Sequence, residues 1–237
     1  MSNILVNKTN FVNSYEIKEC GFKAYEKYRC WFPVKPSERL AGIIADLMGD
    51  GHIQGNGPWR LDFTSKYKKE LLRFENEIYS LFKVKGKIRP CTTNKYSTYN
   101  YGVNCKPLIK ILEICGAPSG AKVLKSFKIS DWIINNKKYY KSFIKRLFLC
   151  EGHLGKNEIK IEMAKAEYLI KDGINFMESI REKLKEFYGF NPTNIFIRKY
   201  KIRKDKIQTY GIQFKIKRKE EIPKFYNLIM DQPSKHL

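Results

Sequence analysis

Apolar and polar positions alternate in short runs along this chain, and the runs come in the same order twice. Trp59, Leu61 and Phe63 fall on one side of a period-two pattern, with Arg60, Asp62 and Thr64 on the other. Ile159, Ile161 and Met163 oppose Glu158, Lys160 and Glu162 in the same way, and Tyr210, Ile212, Phe214 and Ile216 oppose Thr209, Gln213 and Lys215. A period of two with one apolar face predicts antiparallel sheet covered on one side only. Between these runs lie stripes of helical period, Leu71, Phe74, Ile78 and Leu81 in one and Ile174, Met177, Ile180, Leu184 and Phe187 in the other. The pattern predicts strand 59–65, helix 67–82, strands 83–89 and 99–105, and helix 106–114. It then predicts strand 158–164, helix 168–188, strands 194–200 and 209–217, and helix 220–230. The expected fold is α+β, in two similar halves.

Each half is preceded by a helix ending in one short motif: Leu47-Met48-Gly49-Asp50-Gly51-His52 and Phe148-Leu149-Cys150-Glu151-Gly152-His153. Ser37, after Pro36, is placed to cap the first of these helices. Along that helix Ala41, Ala45 and Gly49 recur every four residues with Gly42 beside them, and Ser142, Arg146 and Cys150 take the same steps in the second. Small residues let another helix approach closely, so the two helices are expected to pack together with their C-terminal ends side by side. Asp50 and Glu151 would then repel each other and the negative helix ends. Divalent cations would remove that cost, and oxygen ligands suit Mg²⁺. His52 and His153 are read as ordinary residues at the start of a strand.

Composition narrows the partners. The 237 residues hold 46 Lys and Arg against 24 Asp and Glu, a formal charge of +22, with 43% hydrophobic residues for a core. Such an imbalance opposes compaction unless it serves a polyanion, with nucleic acid the first candidate and a membrane surface the second. Lys83, Lys85, Lys87 and Arg89 sit at every second residue, and 198–206 adds six more cations, a one-signed face that suits a phosphate backbone. No run of about 18 apolar residues predicts a spanning helix, and the first ten residues lack a hydrophobic signal core. The six cysteines show no C-x-x-C pair and are expected to be reduced thiols, mostly buried, in an intracellular protein. The expected organisation is an extension over 1–36, a first half over 37–115, a packed connector over 116–140, a second half over 141–231 and a tail over 232–237.

At the two motifs the sequence resembles the LAGLIDADG homing endonuclease family in its single-chain, two-motif form. The match runs over Ile43-Ile44-Ala45-Asp46-Leu47-Met48-Gly49-Asp50-Gly51 and, more weakly, Ile144-Lys145-Arg146-Leu147-Phe148-Leu149-Cys150-Glu151-Gly152. Gly116 to Lys122, Asp131-Trp132-Ile133 and Tyr140 to Ile144 look like the family's connector. The sequence departs from the pattern at Asp46, a charge at an apolar position, at Arg146, where a small residue is usual, and at Ser130, where proline is common. The resemblance implies two αββαββα halves related by a pseudo-twofold axis, with sheets forming a saddle over the DNA major groove. It implies Mg²⁺-dependent cleavage of both strands of a long asymmetric site, leaving staggered ends, with Mn²⁺ as a substitute metal. By the match Asp50 and Glu151 are the metal-binding catalytic acids, Gly49 and Cys150 belong to the metal set, and Lys66 and Lys165 take the place of a basic residue that polarises water or steadies the scissile phosphate.

Bases would be read from the open sheet faces, by Arg60, Asp62, Thr64, Lys85, Lys87, Arg89, Asn100 and Asn104 in one half. In the other half they would be read by Lys160, Glu162, Arg198, Tyr200, Gln213 and Lys215. The two sets differ, so the two half-sites should differ. The expected protein is a freestanding, monomeric, intron-type endonuclease acting on double-stranded DNA, in the cytoplasm of a microbe or in an organelle. The alternatives are a maturase that helps an intron RNA fold, and a DNA-binding regulator with a dead site. An intein-embedded enzyme is disfavoured by the residues at the two ends of the chain.

Overall fold

The computed structural model describes residues 4–91 and 97–230. The expected C-terminal tail, 232–237, lies outside the described residues. Among the described residues the chain forms nine α-helices and two four-stranded antiparallel sheets, an α+β fold. It divides into two compact units, Met1–Gly120 and Ala121–Leu237, so the division falls within the segment expected as connector. Among the described residues, no helix is long and apolar enough to cross a membrane.

Unit 1 begins with α1 (Lys8–Asn13) and α2 (Lys18–Lys27), which fill the segment expected only as an extension. It continues with α3 (Glu38–Met48), β1 (Gly51–Gln54), β2 (Arg60–Ser65), α4 (Lys68–Phe82), β3 (Lys87–Pro90), β4 (Tyr99–Asn104) and α5 (Lys106–Ile114). Ser37 caps α3 as expected, its side chain accepting from the Leu40 N–H. Every residue from Leu40 to Met48 is buried, as befits a helix that is apolar on nearly all sides. The sheet order is β1-β2-β4-β3. Its covered face carries Leu61, Phe63 and Tyr101 against Leu71, Phe74, Ile78 and Phe82 of α4. The Phe63 and Phe74 rings stack at 4.7 Å. Each such side chain contributes roughly 1.5–3 kcal/mol on burial.

Unit 2 repeats the order. It holds α6 (Asp131–Ile134), α7 (Lys137–Glu151), β5 (Gly152–Leu154), β6 (Ile159–Ala166), α8 (Ile170–Tyr188), β7 (Phe196–Ile202), β8 (Gln208–Ile216) and α9 (Glu221–Ile229), with sheet order β5-β6-β8-β7. Ile159, Ile161 and Met163 of β6 and Ile212, Phe214 and Ile216 of β8 face the core. The Tyr140 hydroxyl donates to the Ile180 carbonyl at 2.9 Å, tying α7 to α8.

Several local expectations are corrected. The alternation gave no ranges for β1 and β5, which are only four and three residues long and hold His52 and His153, read as residues at the start of a strand. Strand 83–89 shrinks to β3, because Lys83 takes a left-handed conformation (φ 55°) to end α4. Trp59 is half-buried and is not part of the strand. It lies before β2 with φ 46°, and the Lys106 and Lys110 ammoniums stand 4.5 and 4.6 Å from its ring. The buried stripe of α8 is Gly173, Phe176, Met177, Ile180 and Leu184, turned from the expected one; a Cβ on Gly173 would run into Ile212. The cysteines are not mostly buried: Cys20 and Cys30 are exposed, Cys91, Cys105 and Cys150 half-buried, and Cys115 alone is buried.

Candidate nucleic-acid interface and acid sites

Both motif acids stand where a helix hands over to a strand. In unit 1, α3 closes with the Gly49 N–H donating to the Ala45 carbonyl, Asp50 follows on the surface, and Gly51 opens β1 opposite Phe63. In unit 2, α7 ends on the half-buried Glu151, and Gly152 opens β5 opposite Ile161. The glycine after each acid is a requirement of packing. A Cβ on Gly51 would lie 2.8 Å from the Leu47 Cα, and one on Gly152 would collide with the Phe148 carbonyl and ring. The chain doubles back so tightly on its last helical turn that only glycine fits. Each acid is thereby held at a helix C-terminus, where the helix dipole disfavours a negative charge. His52 and His153 are exposed strand residues of β1 and β5.

The open face of the first sheet brings most of the expected reading residues together. Arg60, Lys85, Lys87, Arg89, Asn100 and Asn104 line one concavity of about 510 Å³. Arg60 holds Asp62 through Nε at 2.8 Å. The Asn100 amide is oriented with its oxygen accepting from Thr64 Oγ1 and its nitrogen donating to Asp62 Oδ1 at 3.0 Å; the reverse orientation would set two acceptors against each other.

In the second sheet, Cys150, Glu151 and His153 line a concavity of about 340 Å³ with Lys160, Glu162, Arg198 and Tyr200. Glu162 accepts from Lys160 Nζ at 2.9 Å and from Arg198 Nη2 at 2.7 Å. Burial works against the Glu162 carboxylate, but hydrogen bonds and charge from Lys160 and Arg198 outweigh it and lower its pKa. Gln213 and Lys215 line a neighbouring concavity of about 450 Å³, with Phe196. Lys215 pairs with Glu158 at 2.8 Å.

The two lysines matched to one another part company. Lys66 lies just past β2, exposed, on the parity of Arg60, Asp62 and Thr64. Lys165 shares the parity of Ile159, Ile161 and Met163 and is 1% exposed. Its Nζ donates to the carbonyls of Lys122 and Lys125 at 2.9 and 2.7 Å and stands 3.8 Å from the Phe127 ring centroid. Burial lowers its pKa from 10.5 to about 8. The expected solvent-facing role does not fit that enclosure, whose carbonyls and ring already surround the ammonium.

Of the residues expected at a helix interface, Ala41, Gly42, Ala45 and Gly49 are buried, and Ser142, Arg146 and Cys150 half-buried. The unusual Asp46, 1% exposed, is gripped by Arg73 of α4, Nη1 to Oδ2 at 2.8 Å and Nη2 to Oδ1 at 3.1 Å. Arg73 also bonds Glu70 and Glu77, both at 3.0 Å. Burial opposes the Arg73 charge, and the carboxylates overcome it and raise its pKa. The sequence reading missed Arg73, although its i−3 and i+4 acids on α4 were legible. Among the described residues, no group of three or more His, Cys, Asp or Glu side chains is placed to hold a metal ion.

No family model matches the chain. Among curated proteins, a polypeptide of the A-type ATP synthase of Pyrococcus abyssi (strain GE5 / Orsay) is 26% identical over 156 residues, which is 62% of this chain and 14% of that protein's length. Among solved structures, the N-terminal LAGLIDADG domain of DUF199/WhiA aligns with a TM-score of 0.53 at 15% identity, covering 98% of this chain and 95% of that one. Full-length DUF199/WhiA from Thermatoga maritima aligns with a TM-score of 0.52 at 15% identity, covering 88% of this chain and 61% of that one. A mesophilic variant of the homing endonuclease I-DmoI aligns at 0.51 with 18% identity, covering 82% and 98%. With its duplicated element order and an acid-glycine motif at the head of each sheet, this chain has the two-motif LAGLIDADG-type fold.

Proposed function

We propose that this chain is a site-specific endonuclease of the intron-homing type, acting as a monomer on a long asymmetric double-stranded DNA site and leaving staggered ends. One observation carries the reading. Glu151 lines the same concavity as the cations Lys160 and Arg198, at the edge of an open sheet face. An acid and cations facing one solvent space suit metal-assisted attack on a phosphodiester, and Asp50 heads the corresponding sheet in unit 1. I-DmoI, which shares this fold, has been solved with DNA and Ca, with a TM-score of 0.51 to this chain.

The donor set fits a hard divalent cation. Asp50 and Glu151 offer carboxylate oxygens, the ligand type that hard cations take. Mg²⁺ keeps several waters and takes substrate phosphate oxygens, so few protein ligands suffice. Bound there, it would supply an activated water and stabilise charge on the leaving oxygen. Lys66 would steady the phosphate at the first site, and the open-face side chains would read bases in the groove.

A second reading is a DNA-binding protein that does not cut. The WhiA LAGLIDADG domain aligns with this chain as well as I-DmoI does, and a shared fold does not by itself assign cleavage. Cleavage of a randomised duplex library with Mg²⁺, followed by sequencing of the ends, separates them. Staggered ends at one asymmetric motif, lost in Asp50→Asn and in Glu151→Gln while binding persists, support the endonuclease. Retained binding with no cutting by the unaltered protein overturns it, and intron RNA would be the next ligand tried.

A further inference from the structure

The two sheets differ at one position that the chemistry needs filled. Gly51 pairs with Phe63 in unit 1 and Gly152 with Ile161 in unit 2. Counting three residues on from each partner along β2 and β6 leads to Lys66 and to Ala164. The open-face position that carries an ammonium in unit 1 therefore carries a methyl group in unit 2. The lysine beside it, Lys165, is turned into the core and held by two carbonyls.

The register across the second sheet shows what replaces it. Ala164 pairs with Gly211 of β8, and Gly211 pairs with Arg198 of β7, so the three lie in one row on the open face. Both neighbours of Arg198 in that row are small. A Cβ on Gly211 would stand 3.4 Å from Arg198 Nε and would strike Glu162 Oε1, so the bare backbone there makes room for the pair. The guanidinium meets Glu162 with its Nε–Nη2 edge, at 3.0 and 2.7 Å, and lies against the Tyr200 ring at 5.4 Å. That grip fixes the head group of an otherwise exposed residue and leaves Nη1 outside the pair. Lys160 shares the same carboxylate at 2.9 Å. Two cations on one carboxylate leave a net positive charge beside Glu151, in the concavity they line together.

Resting on the endonuclease reading, we infer that Arg198 is the cation that holds the scissile phosphate at the Glu151 site, in the role Lys66 has at the Asp50 site. A guanidinium presents a planar fork of donors and keeps its charge at any working pH. Its donors stabilise the charge that develops on the phosphate oxygens as the phosphodiester is attacked. Glu162 acts through Arg198, by orienting it.

The experiment follows each strand separately on a duplex labelled at both ends, with unaltered protein, Arg198→Ala, Arg198→Lys and Lys66→Ala. Arg198→Ala is expected to slow cutting of one strand by about 100-fold or more, the cost of losing one such donor, while the other strand keeps its rate within a few-fold and nicked duplex accumulates. Lys66→Ala should slow the opposite strand, and Arg198→Lys should restore part of the lost rate. Binding without divalent metal gives a second reading. Replacing the cut phosphate with a neutral methylphosphonate should weaken the unaltered protein and leave Arg198→Ala unaffected. If the unaltered protein cuts but Arg198→Ala cuts both strands normally, or loses both in proportion to weaker binding, the inference is overturned and the endonuclease reading stands. If the unaltered protein cuts neither strand, both fall.

Discussion

Lys165 puts an ammonium where the alternation of β6 puts apolar side chains, and its surroundings make that charge a stability term that varies with pH. Burial lowers its pKa from 10.5 to about 8 in the folded chain. Between those values the unfolded chain holds the proton more tightly, so stability from this residue rises with pH through that window and is flat below it. Comparing the unaltered protein with Lys165→Met removes the titration of every other group. The stability difference should move in favour of the unaltered protein by on the order of 2–3 kcal/mol between pH 7.5 and 10.5; urea midpoints measure it, and a constant difference would refute it. The inward turn of Lys165 was legible, since it lies an even number of residues from Ile159, Ile161 and Met163. Pairing it with Lys66 by its place at the end of a strand ignored that parity, and a slip of one residue moves a side chain to the other face. Asp46 is the opposite case, because nothing in its own motif names Arg73 as its partner. Arg73→Met should cost about 3–5 kcal/mol by leaving a buried carboxylate uncompensated, and Asp46→Asn in the same chain should recover part of it. Additive losses in a double-mutant cycle would deny the coupling.

The longer elements of the two halves were legible and the short strands β1 and β5 were not, because a period needs several repeats before it can be read. The helices α4, α8 and α9 and the strands β2, β6 and β8 fall within a few residues of their predicted ranges. The strands β1 and β5 have too few residues for alternation to register, yet they set the register that aligns each acid with its sheet. Helix ends follow the same logic. The pair Asn135-Asn136 reads only as a turn in sequence, but the structure separates the two residues. The Asn136 side chain accepts from the N–H groups of Lys138 and Tyr139 at 3.0 and 3.2 Å and so starts α7, the helix that carries Glu151. Asn136→Ala is expected to cost about 1 kcal/mol, and Asn135→Ala, which removes no such cap, to change stability by less than half of that. Chemical denaturation of the two variants checks this, and equal losses would contradict the assignment.

At the scale of the whole chain, charge decides how a partner is held. Met1–Gly120 holds 19 Lys and Arg against 11 Asp and Glu, and Ala121–Leu237 holds 27 against 13, so each unit is basic by itself. The acids of the open faces do not cancel this, because cations bind them locally: Asp62 to Arg60, Glu158 to Lys215, and Glu162 to both Lys160 and Arg198. The surplus of Lys85, Lys87 and Arg89 on one sheet and of Lys199 and Lys201 on the exposed strand β7 of the other remains exposed. The total was legible in composition, but the local pairing was not, since it depends on which strands become neighbours. A surface of this kind binds a duplex chiefly by displacing condensed counterions. If six to ten phosphates are neutralised, affinity should fall by about 10³–10⁵ between 50 and 200 mM salt. Fluorescence anisotropy with the cognate duplex in Ca²⁺ measures the slope. Arg198→Ala and Lys87→Ala should each lower that slope by about one counterion, because an exposed cation that meets a phosphate releases one. A fall of less than tenfold over the same range would mean that neutral hydrogen bonds and exposed rings such as Phe196 and Tyr200 hold the duplex, and that the basic surplus serves something other than its backbone.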